Sequence, residues 1–339
     1  MSGQLMTAEM AEQPARLRAL IERAPTIADQ IRAILPDPLT GITIVARGSS
    51  DHAAVYGRYL LEAATGKPVS LAAPSLHTHY GIQADYSGQL VIAISQSGET
   101  PEIVRTLESL QRSGARGLGV TNERESPLSH AADLALVLDV GRELAVPATK
   151  TVTGQFVAMA LIADALGGRL FTGSQLADIP GWVQAAIDDR SPTAAVAAAL
   201  APSPQLVVTA RGYMYAAALE TALKIKETCY VPAQGYSSAD LRHGPIAAVT
   251  GTVPVLAMAS PGPVAQDVLS LVSELRSRGT VVHLIAAEQD AEILLPSELP
   301  ETLAPIVATV RGQQLAYELA LALGHDPDRP LGLNKVTLT

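Results

Sequence analysis

Two segments far apart in this chain share one grammar: a β-branched run, the tripeptide Ala-Arg-Gly, then a helical pattern. The first covers residues 42–62 and turns at Ala46-Arg47-Gly48; the second covers residues 206–227 and turns at Ala210-Arg211-Gly212. Repetition of a whole strand–turn–helix unit at such a distance means two similar domains, not a short-period solenoid. The 339 residues suit two domains of ordinary size. Only the second copy carries Glu220, Lys224 and Glu227. The expectation is therefore a division of labour, one half holding a ligand while the other does chemistry.

Composition narrows the classes. Hydrophobic residues make up 48% of the chain, enough for each half to bury a core. A formal net charge of −9 leaves no basic excess to displace counterions from nucleic acid. An anionic ligand would need a local positive site built from a few side chains or helix N-termini. Cys229 is the only cysteine, which excludes a disulfide framework and a cysteine-based zinc site within one chain. The opening residues lack a basic stretch followed by an apolar one, so no secretory signal is expected there. The uncharged stretch 191–210 is broken by Pro192, Pro202 and Pro204 and ends in a strand pattern, which argues against a membrane span. The chain is expected to be cytoplasmic and to meet neither nucleic acid nor membrane.

The periodicities predict an α/β fold with two doubly wound, flavodoxin-like parallel-sheet domains in tandem. Residues 1–34 form an N-terminal helical segment, with one apolar stripe through 8–34. Residues 35–170 form the first domain, with strands at 42–46, 69–72, 90–95, 116–121 and 134–138 and helices at 53–64, 101–112 and 151–166. Residues 171–200 are linker helices, at 178–188 and 193–200. The second domain, 201–329, has strands at 206–209, 253–259 and 280–285 and helices at 215–227, 263–278 and 304–323. Residues 330–339 are a tail. Alternating strands and helices argue for parallel sheets, whose ligands sit beyond the carboxyl ends of the strands. Both Ala-Arg-Gly turns lie at that edge.

Ser95-Gln96-Ser97-Gly98-Glu99-Thr100 joins a buried strand to a helix opened by Pro101. Three hydroxyls, a flexible glycine and free backbone N–H groups suit a neutral phosphate cradle. Taken singly, each serine fits an ordinary helix cap equally well. Ser49 and Ser50, at the neighbouring strand end, suit the other side of the same pocket. Glu220, Lys224 and Glu227 share one helical face at i, i+4 and i+7. In isolation that spacing is a solvated ion-pair ladder; on an otherwise apolar helix leaving a ligand turn, it suits a base moving a proton between adjacent sugar carbons. His243 lies before Gly244-Pro245 and is either a turn residue or a proton shuttle. His77 and His79 lack a third ligand nearby, so no metal is expected.

The order Gly-Ser-Ser, Ser-Gln-Ser-Gly-Glu-Thr, Lys-x-x-Glu, Arg-His-Gly-Pro and a C-terminal Leu-Asn-Lys resembles the double sugar-isomerase (SIS) domain proteins. It is most similar to the isomerase half of glucosamine-6-phosphate synthase and to type II glucosamine-6-phosphate deaminases, from about residue 30 to the C-terminus. The resemblance implies that Ser50, Ser95, Gln96, Ser97 and Thr100 hold a sugar phosphate. It implies that Glu227 is the base between C1 and C2 with Lys224 beside it, and that His243 opens the ring, its loop reaching a neighbouring subunit of a homodimer. It further implies that Lys335 forms an imine with, or orients, the open-chain carbonyl, that Val146 contacts the sugar, and that no cofactor is needed.

Departures sharpen the expectation. The synthase begins with a glutaminase domain on an N-terminal cysteine, and this chain has none. The synthase's Gly-Glu-Leu-Lys-His reads here as Ala239-Asp240-Leu241-Arg242-His243, and Arg47 stands where the synthase has cysteine. The resemblance then implies glucosamine 6-phosphate and water giving fructose 6-phosphate and ammonia. Galactosamine 6-phosphate, a glycated amino-acid 6-phosphate, amination in reverse with free ammonia, and a non-catalytic sugar-phosphate sensor are the alternatives.

Overall fold

The computed structural model describes residues 3–335. They form two compact units. One takes residues 15–142 and 150–172 together with 334–335; the other takes residues 3–14, 143–149 and 173–333. Each is built on a five-stranded, all-parallel sheet flanked by helices.

Helices α1 (Gln4–Glu22) and α2 (Ala24–Ile34) replace the single helix expected over 8–34. Pro25 lies in the first turn of α2, where its missing N–H costs nothing, so a second helix starts there instead of the first continuing. The first unit then runs β1 (Gly41–Val45), α3 (Ser49–Thr65), β2 (Val69–Leu71), α4 (Pro74–Thr78), β3 (Gln89–Ile94), α5 (Pro101–Arg112), β4 (Arg116–Thr121), α6 (Pro127–Ala131), β5 (Leu134–Val137) and α7 (Lys150–Ala165). The sheet order is β2-β1-β3-β4-β5. Every residue of β1 is buried, as expected of a parallel strand covered on both faces. Val45, Val91 and Ala93 pack with Ile103, Leu107 and Leu110 of α5 and Leu128 of α6. Leu107→Ala would cost about 2–5 kcal/mol in this core. On α3, Tyr56 stacks on Phe156 of α7 at 5.0 Å between ring centroids.

Helices α8 (Gly173–Asp188) and α9 (Ser191–Leu200) open the second unit. Then come β6 (Leu206–Ala210), α10 (Tyr215–Cys229), β7 (Ala233–Ser237), α11 (Ser238–Arg242), β8 (Val255–Met258), α12 (Ala265–Ser277), β9 (Val282–Ala286), β10 (Ile293–Leu294) and α13 (Ala304–Ala322). The sheet order β10-β9-β8-β6-β7 repeats that of the first sheet. Helix α10 packs against α13, where a Cβ on Gly312 would stand only 2.0 Å from Thr221 Oγ1. The glycine therefore sets how closely these two helices approach. Cys229, expected just past its helix, is the last residue of α10; its thiol donates to Ala316 O. Burial pushes its pKa up to about 11, with a Thr228 hydrogen bond pulling the other way. The thiol is thus a protonated packing group.

Among the described residues no helix is long and apolar enough to cross a membrane. Of the expected tail, residues 336–339 lie outside the described residues.

Candidate functional site

In a doubly wound sheet the ligand crevice forms where the strand order reverses. In the first unit that point lies between neighbouring β1 and β3. The turn after β1 is Ala46-Arg47-Gly48, leading into Ser49 and Ser50 at the start of α3, and the loop after β3 is the Ser95–Thr100 segment. Both expected phosphate elements therefore meet at the one edge where the fold makes a crevice.

The loop is held by its own hydroxyls. Ser95 N donates to Val120 O at 3.0 Å, continuing the ladder one residue beyond β3. Ser95 Oγ accepts from Gly98 N at 3.2 Å and lies 3.3 Å from Thr100 Oγ1. Ser97 Oγ accepts from Glu99 N at 3.2 Å. Gln96 O accepts from Asn122 N at 3.0 Å. Gly98 has φ +65°, and a Cβ there would lie 2.2 Å from Ser126 Oγ, so the position admits glycine alone. Thr100 is the N-cap of α5, yet its side chain makes no capping hydrogen bond. That removes the ordinary-cap reading for this hydroxyl. Ser50 is buried in α3 and accepts from Gln155 Nε2 at 3.0 Å, a partner from α7 that the sequence did not suggest. Ser49 is the first residue of α3 and partly exposed.

The second unit repeats the strand-end bond but has no hydroxyl at the positions of Ser95, Ser97 and Thr100, its one loop hydroxyl, Ser260, standing in the place of Gln96. Ala259 N donates to Ile285 O at 3.0 Å, the same bond that Ser95 makes to Val120. In that register Ala259, Pro261 and Val264 stand where Ser95, Ser97 and Thr100 stand, while Gly262 keeps the place of Gly98. A Cβ on Gly262 would meet Glu301 Oε2 at 2.2 Å, so a carboxylate packs against this second glycine. Burial raises the Glu301 pKa.

Helix α10 carries the charged face. Lys224 Nζ lies 3.4 Å from Glu220 Oε1 and hydrogen-bonds Glu227 Oε2. The Lys224 and Glu220 side chains are each 1% exposed, whereas that of Glu227 is 22% exposed. This is no solvated ladder. Burial alone would lower the Lys224 pKa, but the carboxylates of Glu227 and Glu220, with Glu143 behind them, outweigh it and hold the ammonium above the ordinary lysine range. The lysine stays charged, and the partly accessible carboxylate of the set is Glu227.

Glu143 is a site residue that the sequence reading did not single out. It is buried, and its Oε1 accepts from Thr149 N at 2.9 Å, so it folds the loop over residues 143–149 as well as facing Lys224 electrostatically. An acidic residue in an otherwise apolar loop was the signal available. Val146, partly exposed, donates its N–H to Asp328 O at 3.0 Å. Asp328 in turn accepts from Leu5 N and Met6 N at the start of α1.

His243 stands exposed at the C-terminal end of α11, its N–H donating to Ala239 O and Asp240 O. Arg242 beside it pairs with Asp267 at 3.2 Å and Glu274 at 3.6 Å on α12, which fixes the loop from behind. Lys335 is partly buried and groups with the first unit, while Glu227 and His243 belong to the second. The structure thus gathers the hydroxyl loop with Ser50, and Glu220 with Lys224 and Glu227, and leaves His243 and Lys335 on separate segments.

The SIS domain model matches residues 40–165 and 199–321. The chain belongs to the SIS-domain family. Among curated SIS relatives, the isomerizing glutamine–fructose-6-phosphate aminotransferase of Thermus thermophilus is 35% identical over 319 residues, 89% of this chain and 53% of the relative. The chain spans about half the length of the curated relatives it matches. A candidate phosphosugar isomerase from Silicibacter pomeroyi superposes with TM-score 0.87 at 29% identity, covering 97% of this chain and 100% of that one. The C-terminal domain of glucosamine-fructose-6-phosphate aminotransferase from Francisella tularensis superposes with TM-score 0.86 at 26% identity, covering 96% and 98%.

Proposed function

We infer that this SIS protein isomerises a sugar phosphate and, as its finer activity, deaminates glucosamine 6-phosphate to fructose 6-phosphate. The observation that carries the reading is Glu227, a partly accessible carboxylate bonded to a buried, charged lysine. The ammonium keeps the carboxylate ionised and oriented, as a general base requires. The hydroxyl loop at the first switch point supports a phosphate ester as the handle. The kinship with isomerizing aminotransferases supports an amino-sugar or keto-sugar phosphate as its bearer.

In the proposed sequence His243 moves a proton from the C1 hydroxyl to the ring oxygen, opening the pyranose to the aldehyde. Glu227 takes the C2 proton and returns it to C1, while O1 gains a proton and the nitrogen loses one. The product is a C2 ketimine. Water adds to C2 of the ketimine and expels ammonia; in the other route the Lys335 amine displaces ammonia to form its own imine at C2, and water then hydrolyses that imine to the ketose and free lysine. Val146 lines the sugar, and Ser49, Ser50, Ser95, Gln96, Ser97 and Thr100 hold the phosphate. The exposed His243 loop serves the neighbouring subunit of a homodimer.

The test is ammonia release from glucosamine 6-phosphate, with galactosamine 6-phosphate alongside. Release from the first that falls about 10²-fold or more in Glu227→Gln supports the reading. No release from either sugar overturns the deaminase assignment.

A further inference from the structure

The proposed phosphate cradle is neutral in its hydroxyls, while a phosphate monoester carries about −1.5 to −2 charges at pH 7 and the chain has a net −9. One cation spans the two loops that form it. Strands β1 and β3 pair in parallel with Val45 opposite Ala93, and continuing that register by two residues sets Arg47 level with Ser95. The Arg47 Nε donates to Glu102 Oε2 at 2.8 Å. Arg47 precedes Gly48-Ser49-Ser50, and Glu102 sits in the first turn of α5, immediately beyond Ser95–Thr100. The ion pair therefore bridges both walls of the crevice.

Its exposure is uneven. The Arg47 side chain is 48% exposed and that of Glu102 only 14%, so the cation meets solvent at the mouth while the acid lies behind. A guanidinium carries five N–H donors, and the bond to Glu102 uses one. Asp51, in the first turn of α3, also feels this charge: burial raises its pKa, and His52 and Arg47 pull it back. Two carboxylates thus share the field of one guanidinium beside a site meant for an anion.

We propose that Arg47 is a phosphate-binding residue of the cradle and that Glu102 holds it as a competing anion until the sugar phosphate arrives. This rests on the cradle reading above. A planar, permanently charged fork is the side chain best matched to a phosphate. Glu102 keeps it at the mouth of the crevice and weakens its hold on any second anion. The two partners of one ion pair then act on affinity with opposite signs.

The test is calorimetric titration of the 339-residue protein with fructose 6-phosphate and with inorganic phosphate, at low and high salt. Arg47→Gln is expected to bind both roughly three- to tenfold more weakly and with a flatter salt dependence, and Arg47→Lys to recover part of the loss. Glu102→Gln is expected to bind about two- to fivefold more tightly. A purely structural clamp predicts equal weakening in both variants, so that result overturns the proposal. Ser97→Ala with Thr100→Ala separates the two failures. Weakened binding there with unchanged binding in Arg47→Gln overturns the Arg47 assignment alone; unchanged binding in both overturns the cradle reading with it.

Discussion

Lys224 Nζ and Glu220 Oε1 lie 3.4 Å apart on consecutive turns of α10, and both side chains are almost wholly shielded from water. Removing one partner of such a pair strands the other charge, at a cost of about 3–5 kcal/mol. Lys224→Met should therefore lower the unfolding free energy by that amount, and adding Glu220→Gln should recover part of it. The pH dependence has a definite sign. Burial would lower the Lys224 pKa, but Glu227, Glu220 and Glu143 together raise it above the ordinary 10.5. A folded value above the unfolded one stabilises fully below the unfolded pKa and fades as pH climbs through the folded one. In urea titrations the margin of wild type over Lys224→Met should stay flat from neutrality to about pH 10 and shrink above it. A margin that peaks in acid would contradict this charge assignment.

Ser97→Ala combined with Thr100→Ala should act on binding before chemistry. In the proposed cradle the two hydroxyls hold a phosphate that reacts nowhere, so their loss should weaken ground and transition states alike. KM should rise by roughly 10- to 100-fold, at about 1 kcal/mol or more per lost hydrogen bond, with kcat little changed. A fall confined to kcat would mean that the loop touches the reacting carbons instead.

Gly98→Ala should be costly at a site with no large side chain. The residue sits at φ +65°, and its added Cβ would stand 2.2 Å from Ser126 Oγ and 2.9 Å from Thr121 Oγ1. Left-handed strain with a clash against the neighbouring loop should remove at least about 2 kcal/mol of stability. Phosphate affinity should fall with it, because Ser95 Oγ is positioned by the Gly98 N–H. Chemical denaturation and phosphate titration of the same protein check both effects.

The strands that carry the site were legible because they are buried on both faces and so read as unbroken apolar runs, as in ITIV before Arg47 and LVIAI before Ser95. Strand β7 escaped because AQGYS, at the edge of its sheet, has no such run. Helix α8 was expected over 178–188, yet it starts at Gly173 and runs through Pro180. At the site, the Glu220–Lys224–Glu227 spacing was visible, but only burial tells a solvated ladder from a shielded charge cluster, and periodicity on an apolar helix reveals burial weakly. Gln155 was out of reach for a different reason: it meets Ser50 from α7 through tertiary packing, and no local pattern encodes that. Glu143 and Glu102 sit in segments the pattern did mark, but their partners, Lys224 and Arg47, come from elsewhere in the chain.

His243 offers the sharpest test of the assembly. The residue is exposed, and only its backbone N–H is tied to α11, through Ala239 O and Asp240 O. His243→Ala keeps those bonds, so the variant should fold while losing ring-opening activity. If the loop serves a neighbour, Glu227→Gln and His243→Ala subunits repair one another. Each mixed dimer then holds one site with both lesions and one with neither. Random exchange at equal amounts should restore about a quarter of wild-type ammonia release, half of the dimers being mixed and half of their sites intact. If His243 acts within its own chain, no mixed dimer contains an intact site. Activity would then stay at the level of the separate variants, and the shared-site reading would fall while the roles of Glu227 and the phosphate loop stand.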